Sequence, residues 1–307
     1  MTVKQLDTVP SLGTLYPKAV LGGLRKNGGD TLPDTEYVRA GVTIDPAHLA
    51  AYDRVCGFRL DDEVPATYPH VLVFGMQVAL MTEPDFPFPL LGMVHVANRI
   101  TQRRPVRVGE TFTLRVKVRD LRPHEKGRQF DVVSELVPED GSSDEPVWTD
   151  VSTYLRRGPG GSGASGEAGG SGQEPVKKTE LAAPTPDAVW TVPGDIGRRY
   201  AEVSGDRNPI HLHKLTAKAF GFPSAIAHGM WSKARALAAF EGRLPGAYTV
   251  DVRFKLPVLL PAKVAFTSWR TDATDATDGT DRDDGWAFEL WHARKPKPHL
   301  SGTITPE

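Results

Sequence analysis

At 307 residues, with 39% hydrophobic and 24% charged residues, the chain has the composition of an ordinary globular protein and enough length for two cores rather than one. Its formal net charge of -1 gives no global field for nucleic acid or anionic lipid, so neither is an expected partner. The single cysteine, Cys56, excludes an intramolecular disulfide framework and a cysteine-rich zinc site; residues 1–10 do not read as a leader and no stretch reads as a membrane span, so a cytoplasmic location is expected.

In chain order, Leu21-Gly22-Gly23-Leu24 and the following Gly28-Gly29 lack the Gly-Lys-Ser/Thr ending of a phosphate loop and read as turns. After Gly75, Met76, Ala79 and Leu80 recur at helical spacing, which predicts an apolar helix. Strict alternation follows at Phe112/Leu114/Val116/Val118 and at Val147/Thr149/Val151, the mark of half-buried strands. Between Gly158 and Gly172 there are eight glycines in fifteen residues, a composition that buries almost nothing and predicts a flexible linker. Beyond it, Met230, Ala234, Leu237 and Ala238 predict a second helix after Gly229, and Tyr248/Val250/Val252/Phe254 and Trp286/Phe288/Leu290 predict further strands. The Asp/Thr/Gly-rich run Thr271–Asp284 between two of those strands predicts a solvated hairpin loop with no catalytic role.

The two halves, 1–157 and 173–307, are of similar length and repeat one another. Tyr52-x-x-Val55-Cys56-Gly57 answers Tyr200-x-x-Val203-Ser204-Gly205, Phe74-Gly75-Met76 answers His228-Gly229-Met230, and Arg104-Pro105-Val106 answers Leu256-Pro257-Val258, with offsets of 148, 154 and 152. Collinear matches with little drift predict two copies of one fold, each a helix against consecutive antiparallel strands, an α+β arrangement. On this alignment copy one is six residues shorter than copy two between Gly57 and Gly75.

The extra residues fall in or just after Ser204-Gly205-Asp206-Arg207-Asn208-Pro209-Ile210-His211. Taken alone, Asp-x-Asn-Pro is an ordinary turn and helix cap. His211, five residues after Asp206, changes that reading, because a carboxylate and an imidazole that converge on one small molecule can hold a water and move protons near neutral pH. His211, His213, His228 and Asp206 could also be weighed as metal ligands, but no His-Glu-x-x-His spacing is present, so no metal is expected and His213 is read as exposed. Trp231, Phe254 and Trp286 sit in apolar patterns that need no ligand to explain them.

The string Tyr200-Ala201-Glu202-Val203-Ser204-Gly205-Asp206-Arg207-Asn208-Pro209-Ile210-His211 resembles the signature of (R)-specific enoyl-CoA hydratases, hydratase 2, among the MaoC-like dehydratases. Ala227-His228-Gly229-Met230 resembles the family's step into its central helix, and Arg253-Phe254-Lys255-Leu256-Pro257-Val258 its following strand. The resemblance covers most of the chain after Val189 and is weak in copy one. It implies a double hot-dog fold: two long helices, each wrapped by an antiparallel sheet, with a degenerate N-terminal copy replacing the second subunit of a dimer. The active chain would then be a monomeric pseudo-dimer or a homodimer.

The resemblance further implies a hydro-lyase without cofactor, acting on a 2-enoyl or (R)-3-hydroxyacyl thioester of coenzyme A or acyl carrier protein in fatty-acid or polyketide metabolism. Asp206 and His211 would bind the water, the Gly229 amide would donate to the thioester oxygen, and Asn208 and His228 would complete that side, His228 chiefly by its shape. Copy one has Phe58 where Asp206 aligns and nothing to match His211, so one catalytic site per chain is expected. Tyr68, His70 and Phe74, near the copy-one helix start, are the expected acyl-pocket residues. Two other readings compete: a hot-dog thioesterase, which would release free acid and thiol, and a non-catalytic acyl-binding protein.

Overall fold

In a computed structural model, residues 2–10, 12, 13, 15, 29–90, 92–141, 143–158, 183–271 and 285–307 are described. The glycine-rich segment beyond Gly158, the run 272–284 and residues 21–28 lie outside them, and with them the linker, hairpin-loop and turn expectations.

Copy one contributes strands β1 (Thr2–Gln5), β2 (Thr35–Thr43), β3 (Met93–Gln102), β4 (Thr111–His124), β5 (Gly127–Pro138) and β6 (Trp148–Arg157), with helices α1 (Pro46–Cys56) and α2 (Pro69–Met81). Copy two contributes β7 (Ala188–Val192), α3 (Ile196–Ser204), the short α4 (Pro209–Leu212) and α5 (Lys214–Ala219), α6 (Gly229–Leu237), β8 (Tyr248–Phe254), β9 (Ala262–Thr271), β10 (Gly285–His292) and β11 (Pro298–Pro306). The described strands form one sheet in the order β1-β2-β4-β5-β6-β3-β8-β11-β10-β9-β7. Read outward from the β3–β8 seam, copy one runs β3-β6-β5-β4-β2 and copy two runs β8-β11-β10-β9-β7, so each position on one side has its equivalent on the other. This is a double hot dog. All pairings are antiparallel except β1 with β2.

The seam itself obeys the repeat. The offset of 152 that aligns Arg104 with Leu256 also makes Arg99 and Asp251 equivalent, and in the antiparallel register Arg99 lies directly opposite Asp251. A pseudo-twofold axis therefore passes between them. In two identical subunits such a position would face its own charge; here the Arg99 guanidinium reaches the Asp251 carboxylate at 2.6 Å. Helices cross the seam too: Trp231 Nε1 donates to the Val55 carbonyl (3.1 Å), and His48 Nε2 lies 2.8 Å from the Val203 carbonyl.

The structure changes two expectations. Gly229 opens α6, but Gly75 lies in the middle of α2, which begins at Pro69; the Phe74-Gly75-Met76 match is therefore not a structural equivalence. A better frame is the bond from Val64 N–H to Val106 C=O, which answers that from Ala227 N–H to Val258 C=O. From Gly57 to Val64 is seven steps and from Gly205 to Ala227 is twenty-two, so copy one lacks fifteen residues rather than six, and with them α4 and α5. In β6 the buried face is Trp148, Asp150, Ser152 and Tyr154, whereas Thr149 and Val151 are half-buried; Val147, just before the strand, is buried. Alternation misled because polar side chains occupy the inward positions there.

Candidate active site

α3 ends at Gly205, whose φ of +72° is the left-handed conformation that glycine adopts without strain, and this turns the chain sharply into Asp206. The loop is then held by its own side chains: Asn208 N–H donates to Asp206 Oδ1 (3.1 Å) and Ile210 N–H to Asn208 Oδ1 (3.4 Å). Asn208 is thus the cap of α4, with Pro209 at its first position. That one turn delivers His211. Gly197, in the first turn of α3, is what lets the turn pack so closely: a Cβ there would stand 2.0 Å from the His211 carbonyl oxygen.

His211 Nδ1 lies 2.9 Å from the Ile226 carbonyl, an acceptor only, so this nitrogen carries the proton and Nε2 keeps its lone pair. Burial lowers the pKa of His211, against the opposing pull of Asp206, so the ring is neutral at neutral pH. His228 stacks on it with ring centroids 3.7 Å apart and 26° between planes. His228 Nε2 is 3.0 Å from the Asp206 main-chain carbonyl and 3.7 Å from its Oδ2, and burial together with His211 pushes its pKa down to about 3. His228 therefore fixes both the loop and the imidazole above it. Tyr200, fully enclosed, packs against His228 at 4.9 Å.

One atom from each of Asp206, His211 and His228 lies within 4.8 Å of the others, a set that could hold a metal by composition. Its geometry is unsuited to one. His211 Nδ1 and His228 Nε2 each face a carbonyl, and the two stacked rings keep their remaining lone pairs in two separate planes only 26° apart.

Gly229 follows directly. α6 is opened by a bond from Ser232 N–H to His228 C=O, so the Gly229 amide precedes the helical ladder and sits at the positive end of the helix dipole. Phe254 of β8 packs over it; a Cβ on Gly229 would meet that ring at 3.1–3.2 Å. Phe254 in turn contacts His95 of copy one (ring centroids 5.0 Å), and His95 stacks on Tyr154 (4.7 Å), so the wall behind Gly229 comes from the other copy.

The expected acyl-pocket residues are placed differently from one another. Tyr68 is fully buried, its hydroxyl 2.9 Å from His48 Nδ1. His70 is also buried, with Nδ1 2.6 Å from Asp150 Oδ2. Phe74 is half-buried, 5.9 Å from the His70 ring. Phe58 follows Gly57 just as Asp206 follows Gly205, and both glycines are left-handed caps, yet Phe58 packs into the core on Tyr52. His213 is exposed and caps α5. Trp231 is buried in the core, and Phe254 and Trp286 pack against it.

The chain matches the family model "MaoC like domain" over residues 175–284 and "FAS1-like, dehydratase domain region" over residues 35–147. It is 39% identical over 275 residues, 90% of each chain, to 3-hydroxyacyl-thioester dehydratase X of Mycobacterium tuberculosis. The chain belongs to the MaoC-like dehydratase family. The crystal structure of HtdX of Mycobacterium tuberculosis superposes with a TM-score of 0.71 at 35% identity, covering 89% of this chain and 100% of that one. A Mycobacterium tuberculosis protein described as having a double hot-dog fold, at 13% identity and a TM-score of 0.53 over 93% of this chain and 99% of that one, shares the fold. In this chain Asp206 and His211 lie in copy two, and copy one has Phe58 in the place of Asp206.

Several site residues were not singled out from the sequence. Gly197, His48, His95 and Tyr154 act through contacts with positions distant in the sequence. Only Gly197, a glycine inside a helix, invites the question of what approaches it.

Proposed function

We propose that this dehydratase family member adds water across the double bond of a 2-enoyl thioester, and runs the reverse dehydration of the (R)-3-hydroxyacyl thioester, at one site made by Asp206, His211 and the Gly229 amide. The observation that carries the reading is the juxtaposition of a carboxylate with the unprotonated Nε2 of a neutral imidazole beside an amide at a helix start. Water held between the two side chains attacks C3. One member of the pair takes the water's proton as the C–O bond forms, and that same proton is then passed on to C2, so the product gains one H₂O and the thioester stays intact. Negative charge that grows on the thioester oxygen meets the Gly229 N–H, and a donor of this kind is worth roughly 2.7–4 kcal/mol in the transition state.

The carrier is coenzyme A or an acyl carrier protein. Copy one serves as the acyl-binding partner, with Phe74 the surface that an acyl chain meets and Tyr68 and His70 its support. Among the described residues no helix is long and apolar enough to cross a membrane, and the reading needs no membrane. The test is mass spectrometry of the full chain incubated with crotonyl-CoA. A gain of one water on an intact thioester is expected, and release of free acid and thiol would favour the thioesterase reading instead.

A further inference from the structure

Beneath the site lies a buried polar chain that proton transfer does not use. Lys233 is 0% exposed, yet its ammonium makes three contacts, with the Asn98 carbonyl (3.0 Å), Asn98 Oδ1 (2.5 Å) and the Val250 carbonyl (3.0 Å). An ammonium has three protons, so this one is saturated and has none left to give a substrate. Asn98 Nδ2 donates onward to Asp150 Oδ1 (2.9 Å) and to Ser152 Oγ (3.0 Å), and Asp150 Oδ2 meets His70 Nδ1 at 2.6 Å. Lys233 belongs to copy two; Asn98, Asp150, Ser152 and His70 belong to copy one. A charge buried this deeply persists only when its partners are fixed.

Its place in α6 gives it a purpose. Lys233 is four residues after Gly229, one turn along the same helix face. On β8, Val250 and Phe254 are likewise four apart and share a strand face; Phe254 covers Gly229 while the Val250 carbonyl holds Lys233. α6 is therefore fastened to the seam one turn below the amide, and the fastening sets its rotation about its own axis.

We infer that Lys233 is a positioning residue of the hydration reaction, pinning the first turns of α6 to copy-one strand β3 so that the Gly229 amide faces the thioester oxygen. This rests on the role proposed for Gly229. It also explains why His70, read from the sequence as pocket-lining, is buried: it completes the shell of Asp150, which would otherwise face the seam with one fewer donor. Burial pushes the Lys233 pKa down to about 7, with Asp150 and Asp251 opposing.

The test is steady-state hydration of crotonyl-CoA by the full chain carrying Lys233→Met, Asn98→Leu, or both, with melting temperatures measured alongside. Lys233→Met keeps the volume, and Asp150 keeps His70, so the variant is expected to fold. A helix displaced by a fraction of an ångström should lower kcat by roughly 10- to 100-fold with KM held within about threefold. The double variant should be no slower than the worse single, because both changes cut one link. Folded variants with kcat within about twofold of the parent would overturn the inference, as would multiplicative losses in the double. Failure of both single variants to fold would also overturn it, by making the chain a folding requirement and not a positioning device. His211→Ala in the same assay separates the two claims: if it too hydrates normally, the proposed site fails and not merely the role of Lys233.

Discussion

Gly57 and Gly205 end equivalent helices in the same left-handed conformation, but the chain leaves them for different destinations. After Gly57 comes Phe58, which turns into the core on Tyr52, and seven residues later the chain is already hydrogen-bonded to Val106. After Gly205 comes Asp206, and fifteen additional residues fold as α4 and α5 before the equivalent bond to Val258. The sheet order on the two sides of the seam is the same. On the proposed reading, a short insertion at one helix end is what would distinguish a catalytic copy from a supporting one. The proposed site would hold its chemistry on a loop between two fixed elements, while the sheet order is the same in the copy that lacks the loop.

The comparison can be broken most severely at Gly197. Its Cβ would stand 2.0 Å from the His211 carbonyl oxygen, backbone that cannot step aside, so Gly197→Ala should displace the α4 turn and lower turnover by about 100-fold, with overpacking destabilising the fold by ~1–3 kcal/mol. Crotonyl-CoA kinetics and thermal unfolding check both halves, and unaltered kinetics would mean that the close approach has no functional consequence. Gly229→Ala should be milder. Its Cβ meets a Phe254 ring at 3.1–3.2 Å, a side chain that can yield by tenths of an ångström, so a loss of roughly tenfold in kcat is expected.

The pH response sharpens the account further. His211 and His228 are held below the ordinary imidazole value of 6.5 by burial, as are His95 and His299. For a group whose folded pKa is depressed in this way, the unfolded chain binds protons first, so stability should fall as pH drops through about 6.5. Asp53, whose carboxyl burial pushes up to about 7, works in the opposite direction in the same window, whereas Lys233, pushed down to about 7, adds to the four imidazoles at its upper end. Denaturant titrations between about pH 7.5 and about pH 5 measure the net slope. By the same shift, the acid limb of kcat/KM assigned to His211 should lie below 6.5. The smallest effect belongs to the pseudo-axis: Arg99 is largely exposed, so Arg99→Ala should cost only about 0.2–1 kcal/mol and leave turnover unchanged.

Much of this was legible in the sequence, and the parts that were not share a cause. The repeat, the period-two strands and the Asp206/His211 loop were all carried by short local patterns. The register between copies was misread because Phe74-Gly75-Met76 resembles a helix start in letters, whereas Pro69 opens that helix and Gly75 lies inside it against the backbone of Pro10. The inward face of β6 was misread because Asp150 and Ser152 are buried only by virtue of partners at His70 and Asn98, contacts that span 80 and 54 residues. Lys233 carried no signal in the sequence for the same reason; its acceptor is 135 residues away. Polar burial is a property of pairs, and single positions do not announce it.

The central claim is that all the chemistry resides in copy two. The most direct measurement is the rate of crotonyl-CoA hydration by the full chain with both Asp206→Asn and His211→Ala, in a protein whose melting curve matches the parent's. Loss of both proton carriers should leave less than about one part in a hundred of the parent rate, the lower end of what acid–base groups contribute. A residual rate near half of the parent's would place a second working site in copy one and contradict the account.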